Sequence, residues 1–449
     1  MTVEAPKPGQ IEPVDYPTIP EVVLGNGLRV LVLEERRLPR ISIRLAWPIG
    51  TVWNPDENLS LADLSVDLLK EGTTSRSSVD IADFSDQLAI QYGEDVSMEQ
   101  THLSVSVLDQ YVDQAMDLLS DLVLRPTFPE EEFQKVRARW QSHILSQRSQ
   151  PDFLAEERTY RVLFGDHPYA KISIPPEHLA QVERDQLHDF YKTLFGPDQA
   201  LLVFAGSVSL EQATALAERY LGEWEKGEAP SLSYPSVPKL DRLQVSLVHR
   251  PHSAQAVISV GTRALPRNHA DAIPLQLASQ VLGGGGSSRL FLNLREEKGY
   301  TYGAYSSLRS YRKEGLLLAT ANVRSEVCAE AVQETLAEME RMRQEPPQAN
   351  ELQRCLAERL GAFIRGMESP SSVGLLEISR RLHNLSEDYY RTYVPKLKEV
   401  TAEKVLETSR AYIDPSRVLV TVVADREQVE EKLRDLGPLT VYDMDGNTL

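Results

Sequence analysis

Between Arg40 and Pro48, Ile41, Ile43 and Leu45 alternate with Ser42 and Arg44, the two-residue period of a half-buried strand. The run Gly27–Leu33 before it predicts another strand, and helices are expected over Glu57–Lys70 and Ser78–Gln91. Leu103, Val105 and Val107 mark a strand at His102–Leu108, followed by a helix from Gln110 to Leu124 that stops before Arg125–Pro126. Glu130, Glu131 and Glu132 after Phe128–Pro129 favour a helix N-terminus, where acidic side chains meet the positive end of the helix dipole. A strand at Ala200–Ala205 and a helix at Leu210–Leu221 close this half.

The order then repeats. Strands at Leu243–His249 and Ala256–Gly261 precede a helix at Ala270–Leu282, and a strand at Leu316–Val323 leads into a helix over Ser325–Gln344. Pro346–Pro347 breaks the chain before a helix from Asn350, matching the strand, helix, proline break and helix of the first half. Arg417–Ala424 and Arg426–Leu436 repeat the closing strand and helix. Between the halves, residues 225–239 carry Gly227, Pro230, Pro235 and Pro238, a linker composition. Strands followed by runs of helices, without strict alternation, indicate an α+β class. The expected division is residues 1–224, a linker at 225–239, and residues 240–449.

With 41% hydrophobic and 25% charged residues, the chain has ordinary globular composition and enough apolar material for buried cores. Its longest apolar runs are strand-length, far short of the ~20 residues of a membrane-spanning helix. A net charge of −18 repels phosphate backbones and argues against a nucleic-acid partner. That charge serves solubility, or lines an acidic chamber that draws in basic peptides. Cys328 and Cys355 both fall in expected helices, which argues against a disulfide framework and against a thiol nucleophile. Met1–Pro20 is polar and proline-rich, without the apolar core of a signal peptide. As given, the chain fits the cytosol; it fits the periplasm equally if a leader has been removed.

Candidate chemistry concentrates in Gly283–Ser307. Gly283, Gly284, Gly285 and Gly286 permit positive φ, a tight turn or close backbone approach to a ligand, and fit a flexible connection between helices as well. No Gly-Lys-Ser/Thr ending follows, so this is not a phosphate loop. Arg295 and Tyr302 flank an expected helix end, where five guanidinium donors and a phenol could grip a peptide carbonyl or an oxyanion. They read equally as a surface charge paired with Glu296 and a half-buried packing residue. The segment resembles the C-terminal half of pitrilysin/insulinase-type peptidases, which include the mitochondrial processing peptidase. The shared features are the glycine turn, Ser288–Phe291, Leu294–Glu296, and the Arg295–Tyr302 pair. Gly25–Val30, Phe128–Pro129 with its acidic run, and Phe164–Tyr169 extend the likeness along most of the chain. Tyr300 departs from it, standing where an aliphatic residue is commoner.

Active members of that family carry His-x-x-Glu-His, two zinc ligands and a general base on one helix face, with a glutamate ligand some 75 residues later. In the matching frame, Ser60–Thr73, the ligand positions hold Asp63 and Asp67 and the base position holds Val66. Valine cannot take a proton from water. The later ligand would fall near Trp140–Ile144, which contains no Asp or Glu; His143 is the nearest candidate. Asp63, Asp67 and His143 form a conceivable alternative metal set. The plainer reading is a solvated helix face with an unrelated core histidine. His249 and His252 lie at a strand end with no acidic residue nearby in sequence.

The resemblance implies two homologous α+β domains, each a mixed, mostly antiparallel sheet covered by helices, arranged as a clamshell. It also implies a division of labour. This chain would be the non-catalytic subunit of a heterodimeric metallopeptidase, without a metal of its own. A zinc-bearing homologous subunit would hold the metal, Arg295 and Tyr302 would reach that site from this chain, and Gly283–Gly286 would lie near the peptide substrate. Asp95–Thr101 resembles the family's exposed edge strand. The alternative is a catalytically inert scaffold or peptide-binding protein with no peptidase partner.

Overall fold

The computed structural model describes residues 15–227 and 231–449. The polar N-terminal stretch up to residue 14, and residues 228–230 of the expected linker, lie outside the described residues. Among the described residues, twelve strands form two six-stranded sheets. The first contains β1 (Glu21–Val23), β2 (Arg29–Glu34), β3 (Arg40–Trp47), β4 (Gln91–Val96), β5 (Thr101–Leu108) and β6 (Leu201–Gly206), in the order β1-β2-β6-β3-β5-β4. The second contains β7 (Gln244–His249), β8 (Gln255–Ala264), β9 (Thr301–Ser310), β10 (Gly315–Arg324), β11 (Leu419–Ala424) and β12 (Leu439–Tyr442), in the order β12-β7-β11-β8-β10-β9. Both sheets are mixed and mostly antiparallel; β2 runs parallel to β6, as β7 does to β11. The repeat expected from sequence is therefore a repeat of topology over five strands; the outer strand differs, β1 preceding and antiparallel to β2, β12 closing the chain parallel to β7.

Helices α1 (Leu61–Asp67) and α2 (Ser78–Gln87) lie between β3 and β4. Between β5 and β6 come α3 (Val112–Leu124), α4 (Glu130–Arg148), α5 (Pro151–Phe164), α6 (Pro176–Gln181) and α7 (Arg184–Leu194), and α8 (Leu210–Leu221) follows β6. In the second half, α9 (Ala272–Gly283) precedes β9. Helices α10 (Cys328–Gln344), α11 (Ala349–Arg365), α12 (Pro370–Leu382), α13 (Tyr389–Lys398) and α14 (Ala402–Tyr412) separate β10 from β11, and α15 (Arg426–Arg434) follows β11.

Three local expectations need correction. The helix expected from Glu57 starts at Leu61, because Asn54 and Asn58 hold the preceding turn: Ala62 N donates to Asn54 Oδ1 (2.8 Å) and Ser60 N to Asn58 Oδ1 (3.0 Å). The helix expected to run to Gln91 stops at Gln87, and Ala89 adopts a positive φ of 51° that turns the chain into β4. The edge strand is therefore Gln91–Val96; Ser97–Gln100, placed in that strand from sequence, turn back into β5, with Ser97 N donating to Gln100 O (2.8 Å).

Each sheet is covered on one face by helices of its own half and on the other by a helix from the opposite half. Leu31, Leu33, Leu201, Val203 and Ala205 of the first sheet pack with Val373, Ile378 and Leu382 of α12. Leu154 and Ala155 of α5 pack with Val248, Val257 and Val423 of the second sheet, and Leu163 and Phe164 share a cluster with Leu316, Leu318 and Leu419. This exchange explains the unbroken apolar runs Leu201–Gly206 and Leu419–Ala424, which are buried on both faces. Gly374 lets α12 sit close on the sheet, since a Cβ there would lie 3.0 Å from Val203 Cγ1. At the seam, Glu377 of α12 accepts from Arg380 (2.6 and 2.8 Å) and Arg381 (2.7 Å), and Arg381 reaches Glu21 of β1 (2.6 Å).

Candidate functional site

α1 carries the three positions of the lost zinc motif. Val66 is fully buried in the first core. Asp67 is held by cations and an indole from two other segments. Its Oδ2 accepts from Arg139 Nη2 (2.9 Å) and Trp140 Nε1 (2.9 Å) of α4, and its Oδ1 lies 2.9 Å from Lys70 Nζ. Lys70 also pairs with Glu94 of β4, and Arg139 approaches Glu71 at 3.5 Å. Burial opposes the charge on Asp67, but the bonds from Lys70, Arg139 and Trp140 hold its carboxyl below the usual carboxylate range. Two fixed cations thus stand beside a carboxylate that would otherwise be free to bind a divalent ion.

Asp63 is in a different state. It lines a cavity of about 240 Å³ with His143, Thr51, Ser97 and Lys171, walled by Val96, Met98 and Ile144. Burial, reinforced by the negative charges of Asp67 and Asp95, pushes its carboxyl up to about 7. Asp63 and His143 therefore share a cavity while Asp67 is committed elsewhere. Among the described residues no group of three or more His, Cys, Asp or Glu side chains is placed to hold a metal. Zinc does not fit this set: one carboxylate is saturated by cations, and among the described residues no group of three ligands completes a site. The expectation of a solvated aspartate face with a core histidine is not met, because both aspartates are half-buried and His143 is exposed.

The raised pKa has a definite sign. The folded state keeps a proton on Asp63 that the unfolded chain, with a carboxyl near 3.8, releases, so the site opposes folding increasingly as pH rises from about 4 to about 7. Asp63→Asn is expected to stabilise the protein at pH 8 by roughly 2–4 kcal/mol, with less than half that gain at pH 5. Urea unfolding at the two pH values checks this; a gain independent of pH would mean the carboxyl is not the source.

The glycine segment sits differently from the sequence-based expectation. None of Gly283–Gly286 adopts positive φ. Gly283, the last residue of α9, is required for close approach: a Cβ there would lie 2.2 Å from Ser306 N of β9. Gly285 has open space around it, and Ser288 Oγ donates to its carbonyl (2.6 Å). A π-helical turn follows at Phe291–Glu297 and carries Arg295, whose guanidinium lies 4.7 Å from the Phe291 ring centroid and 3.6 Å from Glu296. Such turns are rare and recur at functional sites. The turn is braced from behind by Asn293, which donates to Glu334 (3.1 Å) and Glu338 (2.9 Å), and by buried Arg289, paired with Glu351 (3.0 and 3.2 Å). Sequence reasoning missed these braces, because the partners come from α10 and α11.

Tyr302 lies past the end of this turn, as expected, but is not half-buried. It is the second residue of β9, an edge strand bonded to β10 alone, and is 90% exposed. Leu292 and Tyr305 are also exposed nearby in the chain, and the Tyr305 ring lies 6.1 Å from Phe291. His249 and His252, read as lacking an acidic partner, both lie beside Asp425, His252 meeting it through its backbone amide and not its ring. His252 N donates to Asp425 Oδ2 (3.0 Å), and His249 Nδ1 lies 4.0 Å from Asp425 Oδ1 while accepting from Arg426 N. Asp425 and the His249 ring cap α15. Both cysteines are buried in helices, and burial pushes the Cys328 thiol up to about 12, far from a nucleophile.

Residues 29–177 match the family model for insulinase (peptidase family M16), and residues 181–358 match the one described as the peptidase M16 inactive domain. The chain belongs to the M16 peptidase family. It is 26% identical over 352 residues to the uncharacterized zinc protease YmxG of Bacillus subtilis, covering 77% of this chain and 84% of that one. It is also 26% identical over 278 residues to the non-peptidase homolog YmxG of Helicobacter pylori, covering 62% and 64%. The solved M16 inactive domain of Pseudomonas fluorescens superposes with a TM-score of 0.84 at 22% identity, over 90% of this chain and 98% of that one. Within M16, this chain is a member without a zinc-peptidase site of its own. No described helix is long and apolar enough to cross a membrane.

Proposed function

We propose that this M16 protein is the non-catalytic subunit of a two-chain zinc peptidase, presenting Arg295 and Tyr302 to the zinc site of a homologous partner. One contrast carries the reading. The former zinc position is closed by Lys70, Arg139 and Trp140, whereas Tyr302 stands 90% exposed beside a braced π turn. A protein that had lost every role in proteolysis would have no reason to hold an arginine on a rare helical turn next to an open tyrosine.

The surroundings support a docking role. Arg295, Tyr302 and Tyr305 have the side-chain chemistry that dominates protein interfaces. β4 and β9 each pair on one side only, so an extended peptide could add as a further strand, with Gly283–Gly286 beside its path. In the partner's site, the guanidinium and phenol would donate to a peptide carbonyl oxygen as negative charge builds on it, while a zinc held by the partner would supply Lewis-acid chemistry. This chain contributes no general base, since Val66 stands at that position. The relative described as a non-peptidase homolog is consistent with this division of labour.

The test is to purify the chain alone and together with the nearest zinc-motif homologue from the same genome, then assay a quenched peptide series. Cleavage by the mixture alone, with the chains eluting as one complex, is the expected result. Cleavage by this chain alone, sensitive to chelators, would overturn the reading of the zinc position. Absence of both complex and cleavage would favour an inert scaffold.

A further inference from the structure

A second site lies away from both the zinc position and the Arg–Tyr pair, where the linker enters the second half. A pocket of about 440 Å³ is lined by Lys239 and Leu240 of the incoming chain, Thr262 and Arg263 of β8, Arg410 and Tyr412 at the end of α14, and Asp414 and Arg417 before β11. Four of these side chains are cations and one is a carboxylate, in a chain of net charge −18. A local excess of the minority sign on an acidic protein is the observation that needs a cause.

The neighbouring acids do not neutralise it. Arg263 pairs with Glu314 (2.7 Å), and Asp414 is shared between Arg343 (3.0 Å) and Arg417 (3.6 Å). Arg410 donates to the Arg343 carbonyl (2.8 Å), and among the described residues neither Arg410 nor Lys239 has an ion-pair partner. Counting Arg343, Glu314 and Glu340, which also pairs with Arg343 (3.4 Å), five cations face three carboxylates. Arg263 Nε is buried and has no acceptor, although its terminal nitrogens donate to Glu314 and to the carbonyls of Val237 (3.3 Å) and Pro238 (3.2 Å). The pocket therefore holds surplus positive charge, and one of its lining guanidinium groups keeps an unsatisfied donor.

We propose that this pocket binds a linear oligophosphate, the triphosphate of a nucleotide or a free polyphosphate. Guanidinium forks match phosphate oxygens in bidentate geometry better than an ammonium does. A surplus of two positive charges suits a chain of several phosphates better than a single carboxylate, and the volume exceeds what one phosphate fills. A nucleic-acid backbone, by contrast, would meet the acidic remainder of the surface. The occupant would bridge the linker end, β8 and the approach to β11, so binding would tie the linker to the second half. The inference stands whether or not the chain pairs with a peptidase.

The experiment is calorimetric titration of the full chain with sodium tripolyphosphate in metal-free buffer at 50 mM salt. One saturable site is expected, weakened at least tenfold in the double variant Arg410→Gln/Arg417→Gln, whose side chains are exposed and whose far-UV circular dichroism should not change. Lys239→Gln, on the incoming chain outside any helix or strand, serves as a second variant and should weaken binding several-fold. A parallel titration with ATP separates the two sources: equal affinity points to the phosphate chain alone, tighter binding to a base seated against Tyr412. The absence of saturable binding, or equal affinity for wild type and both variants, overturns the proposal.

Discussion

Arg295→Ala combined with Tyr302→Phe is expected to lower kcat of the assembled peptidase by about 10²–10³-fold, the scale of losing preorganised donors to an oxyanion. The same substitutions should leave the isolated chain as stable as wild type, to within about 0.5 kcal/mol, because both side chains are exposed. That combination separates a role in the partner's chemistry from a structural one. Arg295 has a loose contact with Glu296 and a stack on Phe291, and Tyr302 projects from an edge strand, so the fold of this chain does not depend on either. The measurement is kcat and KM of the reconstituted complex, with thermal unfolding of the chain alone as control. Rates within twofold of wild type would sink the assignment of this pair to the zinc site, even if the two chains still assemble. Tyr302→Phe alone isolates the hydroxyl, which is the only group it removes.

The second large effect concerns the seam between the halves. Glu377→Ala is expected to destabilise the protein by roughly 3–5 kcal/mol, because it leaves the largely buried Arg380 without its carboxylate and strips Arg381 of one of two. Burial disfavours the Glu377 carboxylate, but the bonds from Arg380 and Arg381 more than offset it and hold its pKa below the usual value. A depressed carboxyl stabilises the fold above its unfolded pKa, near 4.5, and that contribution is lost as pH falls through the folded value. The deficit of the variant should therefore be largest near neutral pH and shrink in acid. Since α12 covers the first sheet and α5 the second, both halves should unfold in one transition that moves as a whole. Urea unfolding followed by fluorescence and circular dichroism checks this. Two separated transitions would show that the halves fold independently and that the exchanged helices do not couple them.

The second prediction depends on something the sequence did not disclose. Leu201–Gly206 and Leu419–Ala424 were legible as strands because a short apolar run between breaks has few other readings. That they are buried on both faces, and which helix covers the second face, only the structure showed. α5 and α12 are amphipathic segments that look alike in either half, and nothing in their own residues specifies a sheet in the other half of the chain. β4 escaped recognition for a related reason: Gln91–Val96 is a polar edge strand with glycine and two acids, without the alternation that marks a half-buried strand.

The functional residues divide along the same line. The loss of the zinc motif was readable because ligand type at a fixed four-residue spacing on one helix is a local property. Val66 in place of a base and aspartates in place of histidines needed no coordinates. The glycine turn and the Arg295–Tyr302 spacing were local for the same reason. What replaced the metal was decided by tertiary structure alone, since Arg139 and Trp140 lie more than 70 residues from Asp67 and meet it through the packing of α4 on α1. Likewise, the open tyrosine, the braced π turn and the basic pocket at the linker arise from segments brought together by the two sheets. Periodicity and spacing report which face of an element is apolar and which chemistry it carries. The partner across that face is set by long-range packing, and in this protein that packing determines both the closed zinc position and the exposed pair.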